Sequence, residues 1–277
     1  MTRFNICIVQ PDNYIHSYAF LELGELLHFS LQELGYESSF GFNNPDPNAT
    51  NILIGCHLLD PRFIPQLPQS TILLNTEQIS GDTDWNKPIF AWAKHFQIWD
   101  YSPKNIEKFS QMGIQKTKLF KIGYQKELTR LDSGRSKDVD VLFYGSVNER
   151  RKVILDKLEA KGLKVKVLFG VYGQVRDDWI ERSKIVLNHH YYESQIFEIV
   201  RVFYLLTNSV AVIGEVNQTT SIDPIYREGI CASNYEDLVS HCVELVNNES
   251  QMAALQHKAF ESITQNPQAL FTKEALT

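Results

Sequence analysis

The stretch Asp140-Val-Leu-Phe-Tyr-Gly-Ser-Val-Asn-Glu-Arg-Arg151 decides the reading of this chain. Its first half belongs to an apolar run, Val139–Tyr144, which is how a strand covered on both faces of a parallel sheet reads. Gly145 and Ser146 then turn the chain, and a helix is predicted over Asn148–Ala160. Small residues at such a turn let a ligand approach the backbone, and the N–H groups of a helix N-terminus attract anions. Arg150, Arg151 and Lys152 crowd the first turn, the end of a helix where the macrodipole disfavours positive charge. A bound phosphate explains that placement, because guanidinium groups grip phosphate oxygens with paired bonds.

Moving outward, the same strand–turn–helix unit repeats. Downstream, strands at Leu163–Phe169, Ile185–Asn188 and Ser209–Ile213 alternate with helices at Val175–Ser183 and Gln195–Thr207. The segment Tyr235–Asn266 reads as helical. Upstream, strands are expected at Phe4–Val9, Glu37–Phe42, Asn51–Gly55, Thr71–Asn75, Phe96–Asp100 and Leu119–Ile122. A long helix over His16–Leu34 is stopped by Gly35, and another opens at Ser102-Pro103. This alternation predicts an α/β protein with parallel sheets and helices on both faces. The polar stretch Leu131–Asp138 looks like a boundary. Two Rossmann-like, doubly wound domains are therefore expected, 1–134 and 135–248, with a helical tail over 249–277. Ligands would bind at the carboxyl ends of strands, in a cleft between the domains.

Composition agrees with that division. A chain of 277 residues with 43% hydrophobic side chains suits two packed domains. Its 27 basic against 33 acidic residues argue against a dedicated nucleic-acid binder. No apolar run approaches the ~20 residues of a membrane helix, and the first residues lack the apolar centre of a secretory leader. A cytoplasmic protein is expected. The charge is unevenly spread: Met1–Asn86 holds two basic and ten acidic residues, whereas Lys87–Arg130 holds nine basic and three acidic. The basic stretch is a solvated surface, or a face for anionic lipid at the inner side of a membrane or for a phosphate-bearing acceptor. The four cysteines, Cys7, Cys56, Cys231 and Cys242, have no zinc-site spacing and read as reduced thiols.

Several common chemistries lack their motifs. The first strand is not followed by GxGxxG, and neither GxxxxGK[ST] nor GxSxG occurs. A second polar segment, Asn188-His-His-Tyr-Tyr-Glu193, follows a buried strand and runs into Ile196-Phe-Glu-Ile-Val-Arg-Val202. Glu198 and Arg201 are three apart, on adjoining positions of a helix face, and form either a structural pair or part of a site. Glu193 or Glu198 would accept hydrogen bonds from sugar hydroxyls; His190, Tyr192 and Arg201 share the same loop and helix start. His189 and His190 are adjacent, which is not the spacing of a helical metal pair.

These segments, with Trp99–Phe109 (WDYSPKNIEKF), Lys121–Leu131 (KIGYQKELTRL) and Leu187–Glu215, resemble two-domain glycosyltransferases of the GT-B fold. The resemblance is to the glycosyltransferases group 1 set and its spore-maturation-protein-like branch. It covers about half the chain, and the segments fall in the family's order: acceptor-side domain, nucleotide-sugar domain, and a C-terminal helix returning to the first domain. It implies transfer of a sugar from a nucleotide-diphosphate sugar to a hydroxyl of a glycan, lipid-linked or protein acceptor, with neither a metal nor a cofactor. Gly145, Ser146, Arg150 and Arg151 then hold the donor diphosphate, and His190, Tyr192, Glu193, Glu198 and Arg201 the donor sugar and nucleotide. The family's usual Arg-Val-Phe-Glu reads Arg201-Val-Phe-Tyr204 here, so Glu198, one turn earlier, takes the acid's place or the nucleotide is held differently. In the first domain His16, Glu77 and Asp100 follow strands and are the candidate bases, although Asp100 could equally cap the helix at Pro103. A binding or scaffold module without turnover, or a sugar-nucleotide epimerase, is the competing expectation.

Overall fold

The computed structural model describes residues 2–79, 86–191 and 196–277. The chain divides into two compact units: 1–125 together with 267–277, and 126–266.

In unit 1, β1 (Arg3–Ile8) leads through a 3₁₀ turn to α1 (Leu21–Glu33), followed by β2 (Glu37–Phe42), β3 (Thr50–Ile54) and β4 (Ile72–Asn75). Then come α2 (Lys87–Ala93), β5 (Gln97–Asp100), α3 (Pro103–Gln111) and β6 (Thr117–Leu119). All six strands are parallel, in the order β2-β1-β3-β4-β5-β6. Ile6, Ile8, Ile52, Ile54 and Ile98 are wholly buried, as continuous apolar strands require when helices cover both faces. Helix α1 buries Leu23, Leu26, Leu27 and Leu31, and Gly35 ends it at φ +82°, a backbone angle open to glycine at little cost.

Unit 2 contains β7 (Val139–Tyr144), α4 (Glu149–Ala160), β8 (Val165–Leu168), α5 (Gly173–Glu181) and β9 (Ser183–Asn188). It continues with α6 (Ile199–Thr207), β10 (Val212–Glu215), α7 (Pro224–Gly229), β11 (Cys231–Ser233), α8 (Leu238–Val246) and α9 (Glu249–Thr264). Its five parallel strands run β11-β10-β9-β7-β8. Strand order reverses between β7 and β9 here, and between β1 and β3 in unit 1. Such switch points open a crevice beyond the carboxyl ends of the strands.

The last helix, α10 (Gln268–Leu276), belongs to unit 1. Gln268 accepts from the Gly123 N–H at 2.6 Å, and the Ser30 and Thr272 hydroxyls meet at 2.8 Å. The tail expected over 249–277 is therefore split: 249–266 packs with unit 2, and only 267–277 with unit 1. The division falls at Gln125–Lys126 rather than at 134, because Asn208, at the end of α6, holds the segment after it. The Asn208 side chain accepts from the Arg130 and Leu131 N–H groups and donates to the Leu128 carbonyl. Other elements shift by a few residues. The expected helix from His16 begins as 3₁₀ and becomes α-helical at Leu21, the strand expected over Leu119–Ile122 is Thr117–Leu119, and α6 starts at Ile199. No helix among the described residues is long and apolar enough to cross a membrane.

Candidate functional site

The switch point of unit 2 gathers most of the sequence-predicted residues. Strand β7 is followed by Gly145, whose φ of +137° favours glycine. A Cβ there would lie 2.9 Å from Arg201 Nη2 and 3.7 Å from Arg151 Nη1. The turn is thus bare backbone with two guanidinium groups against it. Ser146 is exposed, and its carbonyl accepts from Arg151 Nη1 at 2.8 Å. Asn148 caps α4 by accepting the Arg151 N–H at 3.0 Å, and its amide donates to the Tyr191 carbonyl at 2.6 Å. The cap therefore ties the helix start to the loop after β9.

The three arginines have different duties. Arg150 is turned away from the turn into a two-pronged pair with Glu215, at the end of β10, with one bond at 2.7 Å. It also donates to the His190 carbonyl and lies 4.0 Å over the Tyr235 ring. Glu215 is 1% exposed, so this pair is part of the unit's interior, and the diphosphate role expected of Arg150 meets a side chain already engaged. Arg151 is buried, with Nε and Nη2 donating to the His189 carbonyl at 3.0 and 2.7 Å. Burial, then the charge of Arg201, lowers its pKa to about 10, which leaves it charged at neutral pH. Arg201, from the first turn of α6, is half-buried and donates to Asn188 Oδ1 at 3.0 Å. Among the described residues it has no carboxylate partner in an ion pair.

Glu198 stands just before α6, its side chain 14% exposed. Burial pushes its pKa up, but the hydrogen bond and charge of His190 and the charges of Arg201 and Arg151 outweigh that and hold it at about 2. His190 Nδ1 lies 3.1 Å from both carboxylate oxygens, Asn188 Nδ2 donates at 3.0 Å, and Arg151 Nη2 is 3.7 Å away. Such bonds orient a carboxylate and keep it ionised. The His190 ring is fully buried and, among the described residues, its Nε2 has no hydrogen-bond partner. His189, also fully buried, packs edge-on against Phe143. Burial and then the charge of Arg151 lower its pKa to about 3, so it is neutral in this cationic pocket. Tyr192 and Glu193 lie outside the described residues.

Tyr204 is not at this site. Its hydroxyl donates to Asp177 at 2.9 Å and accepts from Arg130 Nε at 3.0 Å, and the ring is 2% exposed. Glu198, just ahead of α6, is the acid beside His190, Asn188 and Arg151.

The three candidate bases lie in unit 1. Asp100 is wholly buried: it accepts from Asn75 Nδ2 and the Ser102 N–H, both at 2.7 Å, and from Asn105 Nδ2 at 3.1 Å. Burial raises its pKa to about 7 against the pull of these bonds. These bonds tie Asp100 to the end of β4 and to the start of α3, the capping alternative its position also allowed. Glu77 is half-buried, with Oε1 at 3.6 Å from His57 Nε2. His16 is half-buried in the 3₁₀ turn after β1, with its ring edge-on to Tyr14 at 5.2 Å.

Asn188 and Glu215 were missed as site residues. Both are polar residues closing apolar strands at their carboxyl ends, a signal present in the sequence. Among the described residues no group of three or more His, Cys, Asp and Glu side chains is placed to hold a metal ion.

Comparison with known proteins bears on the fold. No family model matches the chain. Two uncharacterized proteins of Acanthamoeba polyphaga mimivirus are 28% identical over 215 residues and 25% identical over 225 residues. The first match covers 73% of this chain and 67% of the relative; the second covers 79% and 31%. The chain thus spans about a third of the length of that second relative, and 57% of TarM, a solved structure it resembles at TM-score 0.56. T4 phage BGT, solved in complex with its UDP-glucose substrate, superposes at TM-score 0.64 with 11% identity, over 99% of this chain and 98% of that one. HepE of Anabaena, in complex with UDP and glucose, gives 0.63 with 11% identity, over 100% and 98%. The chain has the fold of the GT-B glycosyltransferases, two parallel α/β units.

Proposed function

We propose that this GT-B chain transfers a sugar from a nucleotide-diphosphate sugar to an acceptor hydroxyl. The observation that carries this is the pairing of a bare Gly145 turn with the Arg201 guanidinium directed at it. The start of α4 offers N–H groups to phosphate oxygens and Arg201 offers charge. Ionised Glu198, held by His190 and Asn188, accepts from a hydroxyl of the donor. As the bond to the anomeric carbon breaks, negative charge grows on the leaving diphosphate, and a guanidinium fixed in place lowers that barrier without reorganising. Arg201, backed by buried Arg151, performs that task, so turnover proceeds in the presence of a chelator. Glu77 and His16 are the side chains put forward for the acceptor proton. The complexes of T4 phage BGT with UDP-glucose and of HepE with UDP support the nucleotide-sugar reading.

The test is a thermal-shift panel of UDP-, GDP-, ADP- and TDP-sugars, followed by incubation with the stabilising donor. A shift with one nucleotide that is lost in Arg201→Ala, and slow release of nucleoside diphosphate in EDTA, support the proposal. Well-folded protein that responds to no nucleotide refutes it. A new sugar nucleotide formed from the donor alone would instead make the chain an epimerase.

A further inference from the structure

A concavity of about 380 Å³ opens in unit 1 at the carboxyl ends of β1 and β2, on the far side of β1 from the β1–β3 switch point. Its walls include Gln10, Asp12, Asn13, Tyr14, Tyr18 and Asn43. The floor is latched: Asn43 Oδ1 accepts the Gln10 N–H at 2.8 Å, and Asn43 Nδ2 donates to the Gln10 carbonyl at 2.6 Å. Asn13 and Asn43 have φ of +60° and +51°, two of the three non-glycine residues in that region among the described residues. A protein retains such conformations where the surroundings hold them in place.

The wall chemistry is specific. Tyr18 is 39% exposed and its ring is propped against Phe42 at 5.2 Å. Tyr14 stands edge-on to His16, and burial followed by the charge of Glu77 raises its pKa, so its hydroxyl remains a donor. Aromatic faces take the apolar C–H side of a ring, while amides and a carboxylate accept and donate at its rim. Asp12 is the one charged residue in the wall. A phosphorylated or carboxylated ligand would be repelled. A quaternary ammonium would want an aromatic box without amide donors, whereas these two rings have separate props. The volume accommodates one or two sugar rings.

We infer that this concavity binds a neutral saccharide through Tyr18, Tyr14 and Asp12. That the saccharide is the acceptor of the transfer rests on the transferase reading; that it binds rests on unit 1 alone.

Saturation-transfer NMR on the full chain tests this with glucose, galactose, N-acetylglucosamine and maltose at millimolar concentration, and with glucose 6-phosphate and choline as charged counterparts. The expected result is transfer to at least one neutral saccharide, weaker transfer to its phosphate, and affinity lowered roughly three- to tenfold in Tyr18→Ala. Asp12→Asn should lower neutral-sugar affinity and narrow the gap to glucose 6-phosphate. Both positions face solvent, and thermal melts verify that the variants fold. No transfer to any of the neutral saccharides, transfer unaffected by both variants, or a preference for choline or the phosphate overturns the inference. The nucleotide-sugar panel on the same wild-type sample separates the two readings: saccharide binding with no response to any UDP-, GDP-, ADP- or TDP-sugar sinks the donor site alone, and the reverse sinks this site alone.

Discussion

Replacing Gly145 by alanine separates backbone strain from ligand chemistry at the β7–α4 turn. At φ +137° an alanine pays for a conformation L-residues avoid, about 1–3 kcal/mol. The new Cβ would also stand 2.9 Å from Arg201 Nη2. That atom is the tip of a flexible side chain, so relieving the contact costs little stability but moves the guanidinium off the turn and strains its 3.0 Å bond to Asn188. Urea denaturation should therefore show a loss of about 1–3 kcal/mol. Nucleotide affinity should fall by more than the strain alone explains: losing one charge-assisted hydrogen bond of about 1.5–3 kcal/mol weakens binding roughly 10- to 150-fold. Calorimetric titration of UDP or the matching diphosphate reads that number. A double-mutant cycle isolates the cause. In an Arg201→Ala background the alanine at 145 should still cost its stability penalty and should cost little further affinity. If Gly145→Ala binds nucleotide like the parent, or if the two affinity losses simply add, the guanidinium at the turn is not the phosphate ligand.

Three further outcomes follow from the same geometry. Arg150→Ala should destabilise by about 3–5 kcal/mol in chemical denaturation because it strands a buried Glu215, whereas Arg201→Ala should cost about 1 kcal/mol and abolish the nucleotide shift; equal stability losses would contradict the assignment. His189 has its pKa lowered from 6.5 to about 3, so below pH 6.5 the unfolded chain takes up a proton that the folded one refuses, and stability falls with pH until about 3; from pH 7 to 5 the loss should be about 2 kcal/mol, and an imidazole signal of His189 titrating near 6.5 in NMR would disprove it. Asp100→Ala should cost about 2–4 kcal/mol by stranding Asn75, Asn105 and the Ser102 N–H, read by thermal melts, and should leave nucleotide binding intact; a fully stable variant with impaired acceptor use would make Asp100 a base instead.

The sequence alone determined the architecture. Largely apolar strands such as Val139–Tyr144, strand–helix alternation, and caps such as Asn148 and Gly35 are local signals, and parallel sheets follow from them because a strand that is apolar on both sides needs cover on both faces. The same local grammar placed the Gly145 turn between β7 and α4 and put Glu198 and Arg201 on one stretch of helix start. It did not distribute the work among side chains. Arg150 and Arg151 are neighbours in the sequence, yet one reaches across the sheet to Glu215, 65 residues on, and the other folds back on Ser146 and His189. Asp100 stands at the carboxyl end of a strand much as Gly145 does, but three donors from Asn75, Ser102 and Asn105 enclose it. Those assignments belong to tertiary structure, because the direction and partner of a long polar side chain depend on which strands lie side by side. Neighbours in this sheet are residues far apart in the chain, and only their meeting at the β7–β9 switch point made Arg201, rather than Arg150, the guanidinium that faces the turn.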